Sequence, residues 1–381
     1  MPLKYYVFTY GCQMNKNDSE FLKGLLDDYG LQETGQYIKA DLIILNTCAV
    51  RENAERKVYG RLHELNHYRQ QHHTRQKIAV CGCMPQYLQE DLLKKAPFID
   101  YIWGVNNIMD ISQYLENRLP LQEQIKRLRK NRAVAKDNCS EQQAALKRDP
   151  GKRAWIPVMY GCDNFCSYCI VPYTRGREVS RSREDIFKEI TGLREKGFSQ
   201  IVLLGQNVNS YGKNLYRDYG FPELLADTAA SFPWLEKIDF LTSHPKDVSV
   251  KLARVIASYP NINREIHFPV QHADDNILRQ MKRGYTLQEY RDKVKYLRKI
   301  VPGICIGTDV IVGFPGETEK AFNTLLTAIR EIGFDWVNTA AYSDRPGTEA
   351  AAYSQKLSKA EKKRRLNILN NMLKTGKDDS I

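Results

Sequence analysis

The chain has 381 residues, 42% hydrophobic and 27% charged, with 57 Lys and Arg against 45 Asp and Glu for a formal net charge of +12. That length can bury a substantial core and calls for two or three domains, while the absence of any run of 18 apolar residues excludes a membrane-spanning helix. The positive balance favours a polyanionic partner without choosing between RNA and DNA.

The start Met1-Pro2-Leu3-Lys4-Tyr5-Tyr6 passes directly into a strand-like segment with no secretory leader. Nine cysteines, an odd number in a long chain, read as reduced thiols serving as ligands rather than as a disulfide scaffold. A soluble, cytoplasmic protein is expected. Residues 1–115 read as a small α/β domain with a parallel sheet. Tyr5 to Tyr10, Asp41 to Asn46 and Ile78 to Val80 are apolar strand candidates, separated by helix-like stretches at Ser19 to Tyr29 and Asn53 to Tyr68. Directly after these strands come Gly11-Cys12, Thr47-Cys48 and Gly82-Cys83. Side-by-side parallel strands bring their carboxyl ends to one crevice, so the three cysteines converge if the strands are parallel. On spacing alone they are either a three-thiolate cluster site or buried structural cysteines. The adjacent glycines would admit a bulky inorganic group.

Residues 116–154 lack a long apolar rhythm and read as a basic connector. Lys126, Arg127, Arg129, Lys130 and Arg132 are candidates for phosphate contact or for simple solvent exposure.

Near Trp155 a second domain begins, spanning 155–358, with a helix and polar tail at 359–381. Its opening carries Cys162, Cys166 and Cys169 in a C-x3-C-x2-C run. Soft thiolates favour iron-sulfur or zinc, and three ligands leave a cluster with one open iron, whereas a structural zinc site normally has four. Strand candidates at Ile201 to Gly205, Glu236 to Phe240, Ile266 to Val270, Ile304 to Gly313 and Trp336 to Ala340 are separated by helix-length segments, predicting a partial or complete β/α barrel. Polar residues at the loop ends of barrel strands, Gln206, Asn207, Ser243, His244, Gln271 and Asp309, are the pocket candidates. His267 reads as a packed residue.

The cysteine run, with an aromatic residue before its last cysteine, resembles the radical S-adenosylmethionine (SAM) superfamily. Gly11-Cys12-Gln13-Met14-Asn15, Asn46-Thr47-Cys48-Ala49-Val50-Arg51 and Gly82-Cys83-Met84-Pro85-Gln86 resemble the cluster-binding segments of the methylthiotransferase family within it. The stretch from Cys162 to Arg183 is most similar to the branch that modifies transfer RNA already carrying an isopentenyl group on adenosine 37. The resemblance implies two 4Fe-4S clusters, one on Cys162, Cys166 and Cys169 that binds SAM and one on Cys12, Cys48 and Cys83. It implies SAM contact by Gln206, Asn207, Ser243, Gln271, Asp309 and the turn glycines Gly313 and Gly316, and substrate contact by Arg175, Arg177, Arg181 and Arg183. No side-chain acid or base is needed, since the clusters carry the chemistry. The implied partners are tRNA, a small electron donor and a sulfur donor, acting on a monomer.

The family allows other substrates: threonylcarbamoyladenosine in tRNA, or a ribosomal-protein aspartate. A non-catalytic cluster-bearing RNA-binding protein is a further alternative. His272 stands where the family usually has small residues, a departure in bulk and charge expected to bear on substrate choice. The small C-terminal RNA-binding barrel usual in the family is expected to be absent. Cys81, Cys139 and Cys305 are read as standing outside the clusters.

Overall fold

A computed structural model describes residues 2–49, 52–116, 120–130 and 146–375. Arg132, Cys139 and the tail at 376–381 lie outside the described residues, as do the side chains of Arg129 and Lys130. The chain divides into two units, Met1–Asp163 with Ile170–Phe198, and Asn164–Cys169 with Ser199–Ile381.

The first unit begins with β1 (Lys4–Thr9), α1 (Gln13–Asp28), β2 (Gln32–Glu33), β3 (Leu42–Thr47), α2 (Glu52–Gln71) and β4 (Lys77–Gly82). It continues through α3 (Cys83–Leu88), α4 (Glu90–Lys95), β5 (Tyr101–Trp103), α5 (Ile111–Leu115) and α6 (Leu121–Lys130). The five strands form one parallel sheet in the order β2-β1-β3-β4-β5. Every residue of the central strand β3 is buried. Its alternating side chains feed two cores, Leu42 and Ile44 meeting Phe21, Leu22 and Leu26 of α1 on one face, Ile43 and Leu45 meeting Val58 and Leu62 of α2 on the other.

The basic helix α6 belongs to this unit. Ile125 and Leu128 enter the second core, and the Gln124 side-chain oxygen accepts the backbone N–H of Ile102 at 2.8 Å. After it come β6 (Arg153–Pro157), β7 (Met159–Tyr160), α7 (Val171–Arg175), β8 (Val179–Ser180) and α8 (Arg183–Thr191), with β7 and β8 antiparallel.

The second unit alternates strand and helix: β9 (Gln200–Leu204), α9 (Phe221–Ser231), β10 (Lys237–Phe240), α10 (Val250–Ser258), β11 (Glu265–His267), α11 (Asp275–Gln280) and α12 (Leu287–Ile300). β12 (Cys305–Val312), α13 (Glu319–Ile332), β13 (Trp336–Ala341) and α14 (Lys359–Thr375) complete it. β9 pairs parallel with β10, and β11, β12 and β13 pair parallel in sequence order. A parallel bridge from Ile238 to Ile262 and the bond from Ser243 N–H to the His267 carbonyl continue the wall between the two groups. Parallel strands in chain order, each followed by a helix, are a partial β/α barrel. Among the described residues no helix is long and apolar enough to cross a membrane.

Candidate active site

The first cysteine site is built by the sheet of the first unit. β1 and β3 run in register through Thr9 and Asn46, and β3 and β4 through Thr47 and Gly82, so Cys12, Cys48 and Cys83 follow three adjacent strand ends. A Cβ on Gly11 would stand 2.8 Å from the Cys48 Cβ, and one on Gly82 would run into the Thr47 carbonyl. Gly82 has φ +98°, a conformation that turns the chain from β4 straight into α3. That turn separates neighbouring thiols: Cys81 packs into the core with Tyr5 and Trp103, while Cys83 packs with Ala49, Tyr87 and Ile170.

A polar net ties the strand ends together. The Asn15 side-chain oxygen accepts from Cys12 N–H at 3.3 Å and from the Cys12 thiol at 3.4 Å. Its amide donates to Asn46 Oδ1 and the Thr47 carbonyl, and Asn46 donates back to the Asn15 carbonyl and Ser19 Oγ. Contact with Cys48 and the charge of Arg175 hold the Cys12 thiol below the usual thiol range, outweighing the desolvation that opposes them. Burial pushes Cys83 up, with Arg175 opposing. Three thiols on three strand ends around glycines suit a multi-iron cluster with one thiolate to each of three irons.

Arg175 is 6% exposed at the end of α7, and its Nη2 donates to Asp18 at 2.7 Å. Ile170 and Tyr173 pack into the apolar group around Cys83, which seats α7 there. The other arginines expected to meet substrate lie elsewhere. Arg177 is exposed and forked onto Asp163 at 2.7 and 3.1 Å. Arg183 lies over the Phe187 ring. Arg181 is 2% exposed, donating to the Pro157 carbonyl and pairing with Glu189, which also pairs with the buried Arg148.

Within the run at 162–169, Cys162 is fixed in the first unit by its N–H to the Gly176 carbonyl. Gly161 has φ +73°, and a side chain there would strike the Arg177 carbonyl. Cys166 and Cys169 belong to the second unit, where Ser167 N–H and Oγ bond to the carbonyls of Met281 and Gln280. Arg283, buried, donates from Nη1 to Cys166 Sγ at 3.3 Å and from Nη2 to the Pro269 carbonyl at 2.9 Å. His244 Nε2 lies 4.0 Å from the same sulfur. Burial first, and then Arg283, push His244 well below the usual histidine range. Its Nδ1 accepts from Lys246 N–H, which leaves Nε2–H facing the sulfur.

The loop ends of the barrel strands carry the expected SAM residues. Ser243 Oγ is fully buried, and neither it nor Gln206 Oε1 has a hydrogen-bond partner among the described residues. Asn207, 1% exposed, is a brace: its oxygen accepts His244 N–H and its amide donates to Asp247. Gln271, at φ +65°, is tied by its backbone to Asp309 and Ile311. Asp309 lies 3.0 Å from His267 Nε2 and accepts from Asn338 Nδ2. Two orphaned polar atoms at the loop ends of barrel strands, in the unit that also holds Cys166 and Arg283, fit a polar cofactor.

The turn after β12 carries Gly313, Gly316 and Glu317. Gly313 donates to Glu317 Oε2 at 2.8 Å, and a Cβ on it would meet Lys362 of α14; one on Gly316 would meet Gln280 and Gln355. A side chain at either glycine would therefore run into protein. Glu317 also binds Arg365 Nη1 at 2.6 Å and lies 3.3 Å from His272 Nε2, with both side chains of the latter pair wholly buried. His272 Nδ1 accepts from Asp274 N–H. The unexpected histidine is thus a packing residue that clamps the turn.

Residues 156–329 match the radical SAM superfamily, and residues 4–104 match the Uncharacterized protein family UPF0004. The radical S-adenosylmethionine methyltransferase TsrM from Kitasatospora setae, solved with cobalamin and a 4Fe-4S cluster, shares the fold at TM-score 0.64 and 13% identity, over 92% of this chain and 74% of its own. The cobalamin-dependent S-adenosylmethionine radical enzyme OxsB does so at 0.58 and 12%, over 98% of this chain and 56% of its own. Fold and family together define a radical SAM enzyme.

Its relatives narrow the class. The tRNA-2-methylthio-N(6)-dimethylallyladenosine synthase of Dictyoglomus thermophilum is 44% identical over 375 residues, covering 98% of this chain and 82% of the relative. That of Pelotomaculum thermopropionicum is 40% identical over 368 residues, covering 96% and 81%. The chain belongs to the tRNA-2-methylthio-N(6)-dimethylallyladenosine synthase family.

Proposed function

We propose that the protein is a sulfur-group transferase that converts N6-isopentenyladenosine at position 37 of tRNA to its 2-methylthio derivative. One chain carries both a radical SAM fold and a second cysteine trio on three adjacent strand ends, and that pairing carries the reading. When bound, SAM and its cluster supply a 5'-deoxyadenosyl radical, the kind of reagent an unreactive aromatic C–H bond requires. Cys162, Cys166 and Cys169 would hold that cluster, with Arg283 and His244–H beside Cys166 and with Ser243 and Gln206 available to SAM. Cys12, Cys48 and Cys83 would hold a second 4Fe-4S cluster that presents the sulfur to be transferred.

The protein's own part is to shield and orient. Apolar packing by Ala49, Tyr87, Ile170 and Tyr173 keeps water from Cys83. Exposed Arg177 and Lys126 are the candidates for phosphate contact. An adenine reached in this way leaves its stack, as in other base-modifying enzymes. A small electron donor and a sulfur donor complete the reaction, with a single chain as the working unit. A reducing cytoplasmic setting suits its free cysteines.

The test is anaerobic incubation of iron-reconstituted protein with reductant, SAM, sulfide and matched tRNAs with and without isopentenyladenosine 37. A methylthio nucleoside mass on the isopentenylated RNA alone supports the reading. Product on threonylcarbamoyladenosine, or none with abundant 5'-deoxyadenosine, would move the substrate elsewhere.

A further inference from the structure

We infer that Arg175 is the fixed positive charge of the Cys12–Cys48–Cys83 site, oriented by Asp18, and that the pair sets the reduction potential of the cluster held there. The inference rests on the reading that this trio holds a cluster.

Three thiolates leave such a cluster anionic, and adding an electron makes it more so. In a partly enclosed site, fixed groups offset much of that added charge. Arg175 is such a group. Its guanidinium stays protonated in any protein setting, it is 6% exposed at the end of the helix whose Tyr173, like the preceding Ile170, packs with Cys83, and its charge acts on both Cys83 and Cys12. Asp18 grips Arg175 Nη2 at 2.7 Å and acts on Cys12 in the opposite sense. The two residues reach the site from different parts of the chain, Asp18 from the second turn of α1 and Arg175 from the last residue of α7. Gly176, at φ +82°, turns the chain away immediately afterwards.

This placement also accounts for the arginine among its neighbours in sequence. Arg177, two residues on, is exposed and forked onto Asp163, whereas the Arg175 guanidinium is closed in against Asp18. A cation beside the ligand sulfur stabilises the reduced state relative to the oxidised one and so raises the potential. Removing Asp18 leaves that cation less offset and raises it further.

The experiment uses the full chain with Cys162, Cys166 and Cys169 replaced by alanine, so that only the first trio can take up iron. The midpoint potential is read by redox titration followed by electron paramagnetic resonance, in that background and with R175M, R175K or D18N added. A more negative potential in R175M, one near the parent in R175K and a more positive one in D18N are expected. Parent-like potential in R175M, or shifts of the same sign in R175M and D18N, would overturn the inference. Should R175M fail to retain iron, retention by R175K still supports a charge role, and loss from both refutes it. No iron in the parent background would sink the cluster reading itself, and this inference with it.

Discussion

Arg283 Nη1 lies 3.3 Å from Cys166 Sγ, although 117 residues separate the two in sequence. The same guanidinium is anchored by the Pro269 carbonyl and Tyr285 Oη. A buried cation donating to a ligand sulfur orients that ligand and offsets its charge, and such partners are typically worth about 10–100-fold in metal affinity or activity. R283M should therefore lower iron retention at Cys162, Cys166 and Cys169 and the yield of 5'-deoxyadenosine, with R283K recovering part of both. Unchanged iron content and yield in R283M would show the contact to be incidental.

Gly82 gives a second test, on backbone rather than charge. At φ +98°, and with the Thr47 carbonyl where a Cβ would go, G82A carries strain of about 1–3 kcal/mol and displaces Cys83 relative to Cys48. Lower thermal stability of the apoprotein and loss of iron from the first trio are expected together. Alanine at Gly60, a helical position with open space around it, should lower neither.

The Glu317 cluster predicts a pH dependence. Burial favours the neutral acid, but His272 and Arg365 outweigh it and hold the Glu317 carboxyl below its ordinary value of 4.5. A depressed acid contributes stability that is complete above the unfolded value and is lost as pH falls below about 4.5 toward the folded value. E317Q should flatten that acid limb in urea melts of the protein. R365L, which strands a buried carboxylate, should cost about 3–5 kcal/mol at neutral pH. An E317Q acid limb identical to the parent's would show that other groups govern the region.

Much of this architecture is legible in the sequence. The strand ends before Cys12, Cys48 and Cys83 could be read because a buried parallel sheet is written as short continuous apolar runs, and the glycines mark where those runs turn. Local pattern reached less far into helix boundaries: α1 begins at Gln13, right after Cys12, rather than at Ser19. The two-residue β2 and three-residue β5 are too short to carry a pattern. Roles set by long-range approach were hidden altogether. Nothing near Lys282-Arg283-Gly284 points to Cys166, and Asn15 and Asn46 become a polar net only once β1 and β3 are paired. His272, conspicuous as an unusual residue beside an expected pocket, is matched by a partner 45 positions on that sequence spacing does not reveal.

The division of labour between the two cysteine sites is the central claim, and one comparison tests it directly. The protein with Cys12, Cys48 and Cys83 replaced by alanine is reconstituted and assayed on isopentenylated tRNA for both 5'-deoxyadenosine and methylthio nucleoside. Continued 5'-deoxyadenosine formation without any methylthio product is the predicted result. Methylthio product from that variant would contradict the account.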